Sequence, residues 1–163
     1  MNPIILRPLL KDDYANVAKI YEEGITTSLA TFETVVPDWN TWHHKYYESC
    51  RIIAVEDDEV VGFAVISPTS SRYVYRGVAE VSVYVSENKR GIHIGETLLN
   101  RLIEDSEKEG FWTLQASIFS ENKASINLHL KCGFSLVGIR RRIGQLNGKW
   151  HDNHLLERRS NLN

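Results

Sequence analysis

The chain has 163 residues, 42% of them hydrophobic and 25% charged, and a formal net charge of -2. That is the size of one ordinary globular domain with apolar residues enough for a core, and a near-neutral balance without a long Lys/Arg run excludes the electrostatic footprint of a nucleic-acid binder. No stretch reaches the roughly 20 apolar residues of a membrane span, and the opening MNPIILRPLLKDD meets its first acids too early for a secretory segment, so the expectation is one soluble, cytoplasmic domain over residues 1–163 with no nucleic-acid or membrane partner.

In chain order, IILRPL reads as a first strand, and Asp12 and Asp13 open a helix in which Tyr14, Val17, Tyr21 and Ile25 recur at helical spacing. Thr26 to Pro37 lacks a helical period and reads as a loop. Asp38 then caps a second helix expected to carry Trp39, Trp42, Tyr46 and Tyr47, an aromatic group suited to core packing or to a pocket wall. RIIAVE and VVGFAVIS are β-branched runs around the acidic turn Asp57-Asp58-Glu59, which predicts a tight hairpin. In the next strand, VAEVSVYV, alternation turns Ala79, Val81, Val83 and Val85 one way and Val78, Glu80, Ser82 and Tyr84 the other.

SENKRGIHIG leads into a helix whose Leu98, Leu99, Leu102 and Ile103 form an apolar stripe closed by Gly110. FWTLQASIF predicts a strand, SENKAS caps a short helix ending at Gly133, and SLVGIRRRI and HDNHLLERR predict the last two strands. Arg140-Arg141-Arg142 reads as a solvated strand end. Cys50 and Cys132 lie far apart without metal spacing and read as reduced packing residues, and the histidines lack metal spacing too, so no metal is implied. The order β-α-α-β-β-β-α-β-α-β-β, without a repeat or a linker, points to an α/β domain around a mixed sheet.

A strand-to-helix turn through RGIHIG leaves backbone N–H groups unpaired at the positive end of a helix dipole, where a phosphate or pyrophosphate fits. On spacing alone, a purely structural turn is an equal reading. Arg90-Gly91-Ile92-His93-Ile94-Gly95 resembles the R/Q-x-x-G-x-G/A motif of the GNAT superfamily of acetyltransferases, with His93 where the family has its central glycine. Asn122 through ASINLHLKCGF resembles a second element of the same superfamily. AEVSVYVSE, NLHLKCGF and Gly148-Lys149-Trp150-His151-Asp152 are similar to its phosphinothricin acetyltransferase branch, over nearly the whole chain.

The resemblance implies the GNAT fold, a central, mostly antiparallel twisted sheet flanked by helices, and acetyl-CoA as co-substrate. It implies direct acetyl transfer to a small amino-acid-like amine such as phosphinothricin, methionine sulfone or methionine sulfoximine, usually in a homodimer. Glu80 falls on the branch's general base, and His129 on an acid or proton relay near the departing thiolate. Val83, Tyr84 and Val85 are expected to run beside the pantetheine arm, with a main-chain donor near Val83 for the oxyanion. Arg90, Gly91, Ile92, His93, Ile94, Gly95, Glu96 and Asn122 are expected at the cofactor, and Arg72 and Tyr75 at the substrate. From the residues alone, Glu80 reads first as a carboxylate on a solvated strand face, while His129 reads equally as a packing residue and Arg72 as a loop charge. Rival readings are a silent acyl-CoA sensor, suggested by His93, and an acetyltransferase of protein N-termini or polyamines.

Overall fold

A computed structural model describes residues 2–163. The elements follow the predicted order: β1 (Ile5–Pro8), α1 (Tyr14–Thr26), α2 (Trp39–Lys45), β2 (Ile52–Glu56), β3 (Glu59–Pro68), β4 (Val78–Val85), α3 (Ile94–Lys108), β5 (Thr113–Phe119), α4 (Lys123–Lys131), β6 (Ser135–Leu146) and β7 (Lys149–Arg159). They build one mixed sheet of seven strands in the order β1-β2-β3-β4-β5-β7-β6. Every neighbouring pair is antiparallel except β4 with β5.

Period-2 alternation sorts the two layers. Phe63 and Val65 of β3 face α1 and α2, where they pack with Val17, Ile20, Tyr21, Trp42 and Tyr46. Ala64 and Ile66 face α3, whose stripe of Leu98, Leu99 and Leu102 is fully buried against Ala79, Val81, Leu114 and Ala116. A central strand covered on both faces must be apolar throughout, which accounts for the unbroken run VVGFAVIS. Burying one such leucine contributes about 2–3 kcal/mol, so the α3 stripe alone is a substantial part of the fold's stability.

Several local expectations change. The second helix ends at Lys45, and Tyr46 and Tyr47 lie beyond it; Tyr46 already has extended backbone at φ -110° and ψ 148°. The cause is Arg51, a buried guanidinium that donates to the carbonyl oxygens of His43 (2.8 Å), Tyr46 (2.6 Å) and Tyr47 (2.6 Å). It gathers carbonyls that the end of a helix leaves without partners. The acidic turn narrows to Asp57 and Asp58, both at positive φ (51° and 63°), and Glu59 already belongs to β3. Asn147 (φ 50°) and Gly148 (φ 78°) form a second such turn, so β6 and β7 are one long hairpin. Two central residues at positive φ match the right-handed twist of the flanking strands. Arg140-Arg141-Arg142 is not a strand end: the register slips between Arg140 and Gly144. Asp152 closes that bulge by accepting from the Arg142 N–H (2.7 Å) and the Arg141 guanidinium (3.1 Å).

Candidate active site

β4 and β5 pair only at Val78–Thr113, Ala79–Leu114 and Glu80–Gln115, although both strands continue. Beyond Glu80 the sheet therefore opens. The Ser86 N–H donates to Val61 of β3 (2.9 Å), and strict alternation then turns the main chain of Ser82 and Tyr84 toward β3. The main-chain groups of Val83 and Val85 face the opening instead, and the Val85 carbonyl accepts there from Arg90 Nε (3.2 Å). An N–H and a C=O left without a strand partner are available to a ligand.

One cleft, of about 580 Å³, runs along this opening to the start of α3. Val83, Tyr84 and Val85 line it, with Arg90, Gly91, His93, Ile94, Gly95, Glu96 and Asn122; Ile92 does not. The first main-chain bond inside α3 runs from the Thr97 N–H to the His93 carbonyl (3.0 Å), so the N–H groups of Ile94, Gly95 and Glu96 have no partner one turn back. His93 caps the helix at φ 68°, a left-handed conformation that glycine adopts freely and histidine tolerates. Its ring is largely solvent-exposed and 3.1 Å from Glu96. Glu96 also takes Lys131 at 2.7 Å, and these two bonds, Lys131 first, hold its carboxyl below the ordinary value. At Gly95 a Cβ would come to 3.2 Å from the tip of Leu128, a tight contact that the missing side chain avoids where the helix start lies close on α4. Open helix N–H groups with Lys89, Arg90 and Lys131 around them suit a doubly anionic pyrophosphate.

A second cleft, about 280 Å³, meets the first at Val83, Tyr84, Asn122 and Ser125. Asn122 caps α4 by accepting from the Ser125 N–H (3.2 Å), and it ties down the loop after α1 by donating to the Leu29 carbonyl (3.3 Å). Glu80 and His129 both line this smaller cleft. Glu80 Oε1 accepts from Ser117 Oγ (3.0 Å) and Gln115 Nε2 (3.4 Å). The Ser117 hydroxyl in turn accepts from Arg140 (3.1 Å). Both bonds to Glu80 fall on one carboxylate oxygen, and Oε2 has no partner among the described residues.

His129 is buried, with Nδ1 2.7 Å from the Ser125 carbonyl and its ring edge-on to Phe134. A carbonyl only accepts, so Nδ1 carries the hydrogen. Burial pushes the imidazole below its ordinary pKa, more than the Ser125 bond raises it, and at neutral pH Nε2 therefore holds a lone pair. Tyr46 lines the cleft too, and burial raises its hydroxyl to about 12.

Arg72 and Tyr75 are not brought to this place. Arg72 lies over the Tyr75 ring (5.4 Å) on an exposed loop outside both clefts. The cation that lines the smaller cleft is Lys45, 3.9 Å from Glu33. The sequence reading missed Lys45, Ser117 and Asn153 as lining residues. For Ser117 a signal existed, since alternation along β5 puts it on the same face as Gln115, the partner of Glu80.

Comparison with known proteins agrees with this geometry. Residues 16–134 match the family described as Acetyltransferase (GNAT) family. A phosphinothricin N-acetyltransferase of Alcaligenes faecalis is 31% identical over 94% of this chain and 81% of its own length. An L-methionine sulfoximine/L-methionine sulfone acetyltransferase of Pseudomonas aeruginosa is 34% identical, over 86% and 85%. The crystal structure of a phosphinothricin acetyltransferase from Sinorhizobium meliloti in complex with acetyl-CoA superposes with a TM-score of 0.87 at 28% identity, covering 96% of this chain and 88% of that one. On the matched span, these relatives and the cleft that fits its co-substrate, the chain belongs to the GNAT acetyltransferase family, as an acetyl-CoA-dependent acyltransferase.

Proposed function

We propose that the chain transfers the acetyl group of acetyl-CoA directly to the amine of a small amino-acid-like substrate of the phosphinothricin or methionine sulfone/sulfoximine kind. The observation that carries this reading is Glu80, at the last paired position before the sheet opens, with one oxygen tied to Ser117 and the other unengaged. An ammonium must lose a proton before it can attack, and an anchored carboxylate with a free oxygen can take that proton directly or through one water. Bound acetyl-CoA supplies the activated thioester. The Val83 N–H, turned into the opening, is the oxyanion donor in this reading. As the C–S bond breaks, the neutral His129 is in this reading a relay: Nε2 takes the second proton that the attacking nitrogen sheds on becoming an amide and passes it to the departing thiolate. The cradle at Arg90–Glu96 holds the pyrophosphate through main-chain N–H groups, with Asn122 beside the thiol end.

A cleft of about 280 Å³ suits a small amine better than a protein N-terminus. Lys45, in the place the resemblance gave to Arg72 and Tyr75, is the group proposed to face the substrate carboxylate. Residues 1–163 are proposed to act as one catalytic domain in the cytoplasm, a reading supported by a single sheet from Ile5 to Arg159 and by two free buried cysteines. The exposed Leu136, Val137 and Ile139 on edge strand β6 support a homodimer, which sedimentation would read as twice the chain mass.

The test is Glu80→Gln with methionine sulfone as acceptor. Turnover is expected to fall by roughly 10²–10⁴-fold while acetyl-CoA affinity holds. A near-native rate at neutral pH removes Glu80 from the mechanism.

A further inference from the structure

Asn153, on β7, is 6% exposed and lines the smaller cleft. Its neighbours across the ladder are Phe119 on one side and Arg140 on the other. Phe119 stands edge-on to Phe32 (4.5 Å) and stacks on His151 (4.7 Å), so an aromatic group borders the carboxamide. The Arg140 guanidinium donates to Ser117. The Asn153 Oδ1 is buried with no hydrogen-bond partner among the described residues.

An unpaired buried carbonyl oxygen destabilises a fold, and an apolar side chain of the same shape would relieve the cost. Native chains leave few such groups, and those they keep need an account. Asn153 lines the cleft that also holds Glu80, with its oxygen covered, but Asn153 and Glu80 lie on different strands, β7 and β4, with β5 between them. A substrate whose amine meets Glu80 would bring its own side chain, not its amine, toward β7.

We propose that Asn153 is a specificity-determining residue that accepts a hydrogen bond from an N–H or O–H on the side chain of the amino-acid substrate. The inference rests on the amino-acid reading above and narrows it: the preferred acceptor carries a side-chain donor. Methionine sulfoximine and methionine sulfone separate the two possibilities cleanly. They share a skeleton and nearly a shape, but the sulfoximine has an S=N–H that donates where the sulfone has an oxygen that only accepts. A site built around a hydrogen bond discriminates against the analogue that cannot make it.

The experiment measures kcat/KM by thiol release for both compounds in the wild type, Asn153→Leu and Asn153→Asp, with thermal unfolding of each. The wild type is expected to favour the sulfoximine. In Asn153→Leu the sulfoximine-to-sulfone ratio should fall by about three- to tenfold, the value of one neutral hydrogen bond. The Tm should be equal or higher, because no partner is lost. Asn153→Asp keeps an acceptor in the same place and should keep the preference, which covers the case of a leucine variant that folds poorly. An unchanged ratio in Asn153→Leu, or a lost preference in a folded Asn153→Asp, overturns this inference alone. If the wild type releases thiol with neither compound, the amino-acid reading fails and this inference fails with it.

Discussion

His93 shows how one residue can satisfy a motif it does not match. The superfamily's glycine position is here a left-handed helix cap at φ 68°, which is why glycine suits it. A histidine pays roughly 1 kcal/mol of backbone strain there. His93→Gly should be neutral to about 1 kcal/mol more stable, the gain set against the greater freedom of glycine in the unfolded chain. Because the exposed ring has Glu96 as its one hydrogen-bond partner among the described residues, the KM for acetyl-CoA should stay the same or fall. A tenfold rise would mean that the imidazole itself holds the cofactor. At this scale the sequence is informative where chemistry is local. Glu80 was legible because alternation along VAEVSVYV fixes its face and a recognised motif follows it. The places of Asn153 and Lys45 at the cleft were not, because they depend on cross-strand and loop neighbours outside the local pattern, such as Phe119 and Arg140 for Asn153 and Glu33 for Lys45.

Among the elements, α3 is joined to the far side of the sheet by Glu107, whose carboxylate accepts from Arg158 of β7 at 2.8 Å with both side chains largely buried. That bond, more than any other cause, pulls the Glu107 carboxyl below its ordinary value of 4.5. The stability it contributes is fully present above about pH 4.5, and it is lost as pH falls through the lowered folded value. Glu107→Gln should cost about 1–2 kcal/mol at pH 7, and the gap from the wild type should narrow as pH falls below 4.5 and the carboxyl takes up its proton. Urea unfolding along a descending pH series reads both effects; a gap that does not change with pH would show that the pair contributes no charge-dependent stability. Element boundaries were less legible than element types. The second helix looked longer because Tyr46 and Tyr47 continue its aromatic spacing, yet Arg51 draws their carbonyls out of helical geometry. The arginine triplet gave no sign of its bulge, since Asp152 sets it from the other strand.

For the whole molecule, the order of elements and the two-layer packing followed from periodicity, but the defining feature did not. That β4 and β5 pair for three residues and then part is a matter of strand placement, which a one-dimensional pattern does not encode. The opening gives the two clefts a common wall at Leu29, Ala30, Val83, Tyr84, Asn122 and Ser125. Such a wall governs the order of encounters during turnover. Neither thiol can carry the acetyl group between visits: both cysteines are buried, and burial raises Cys50 to about 11 and Cys132 above its ordinary value. Donor and acceptor must then be resident together. Initial rates measured against each partner should give intersecting double-reciprocal lines, with CoA competing against acetyl-CoA and not against the amine. Parallel lines would reveal an acetylated enzyme form, and with it a carrier group other than the two cysteines.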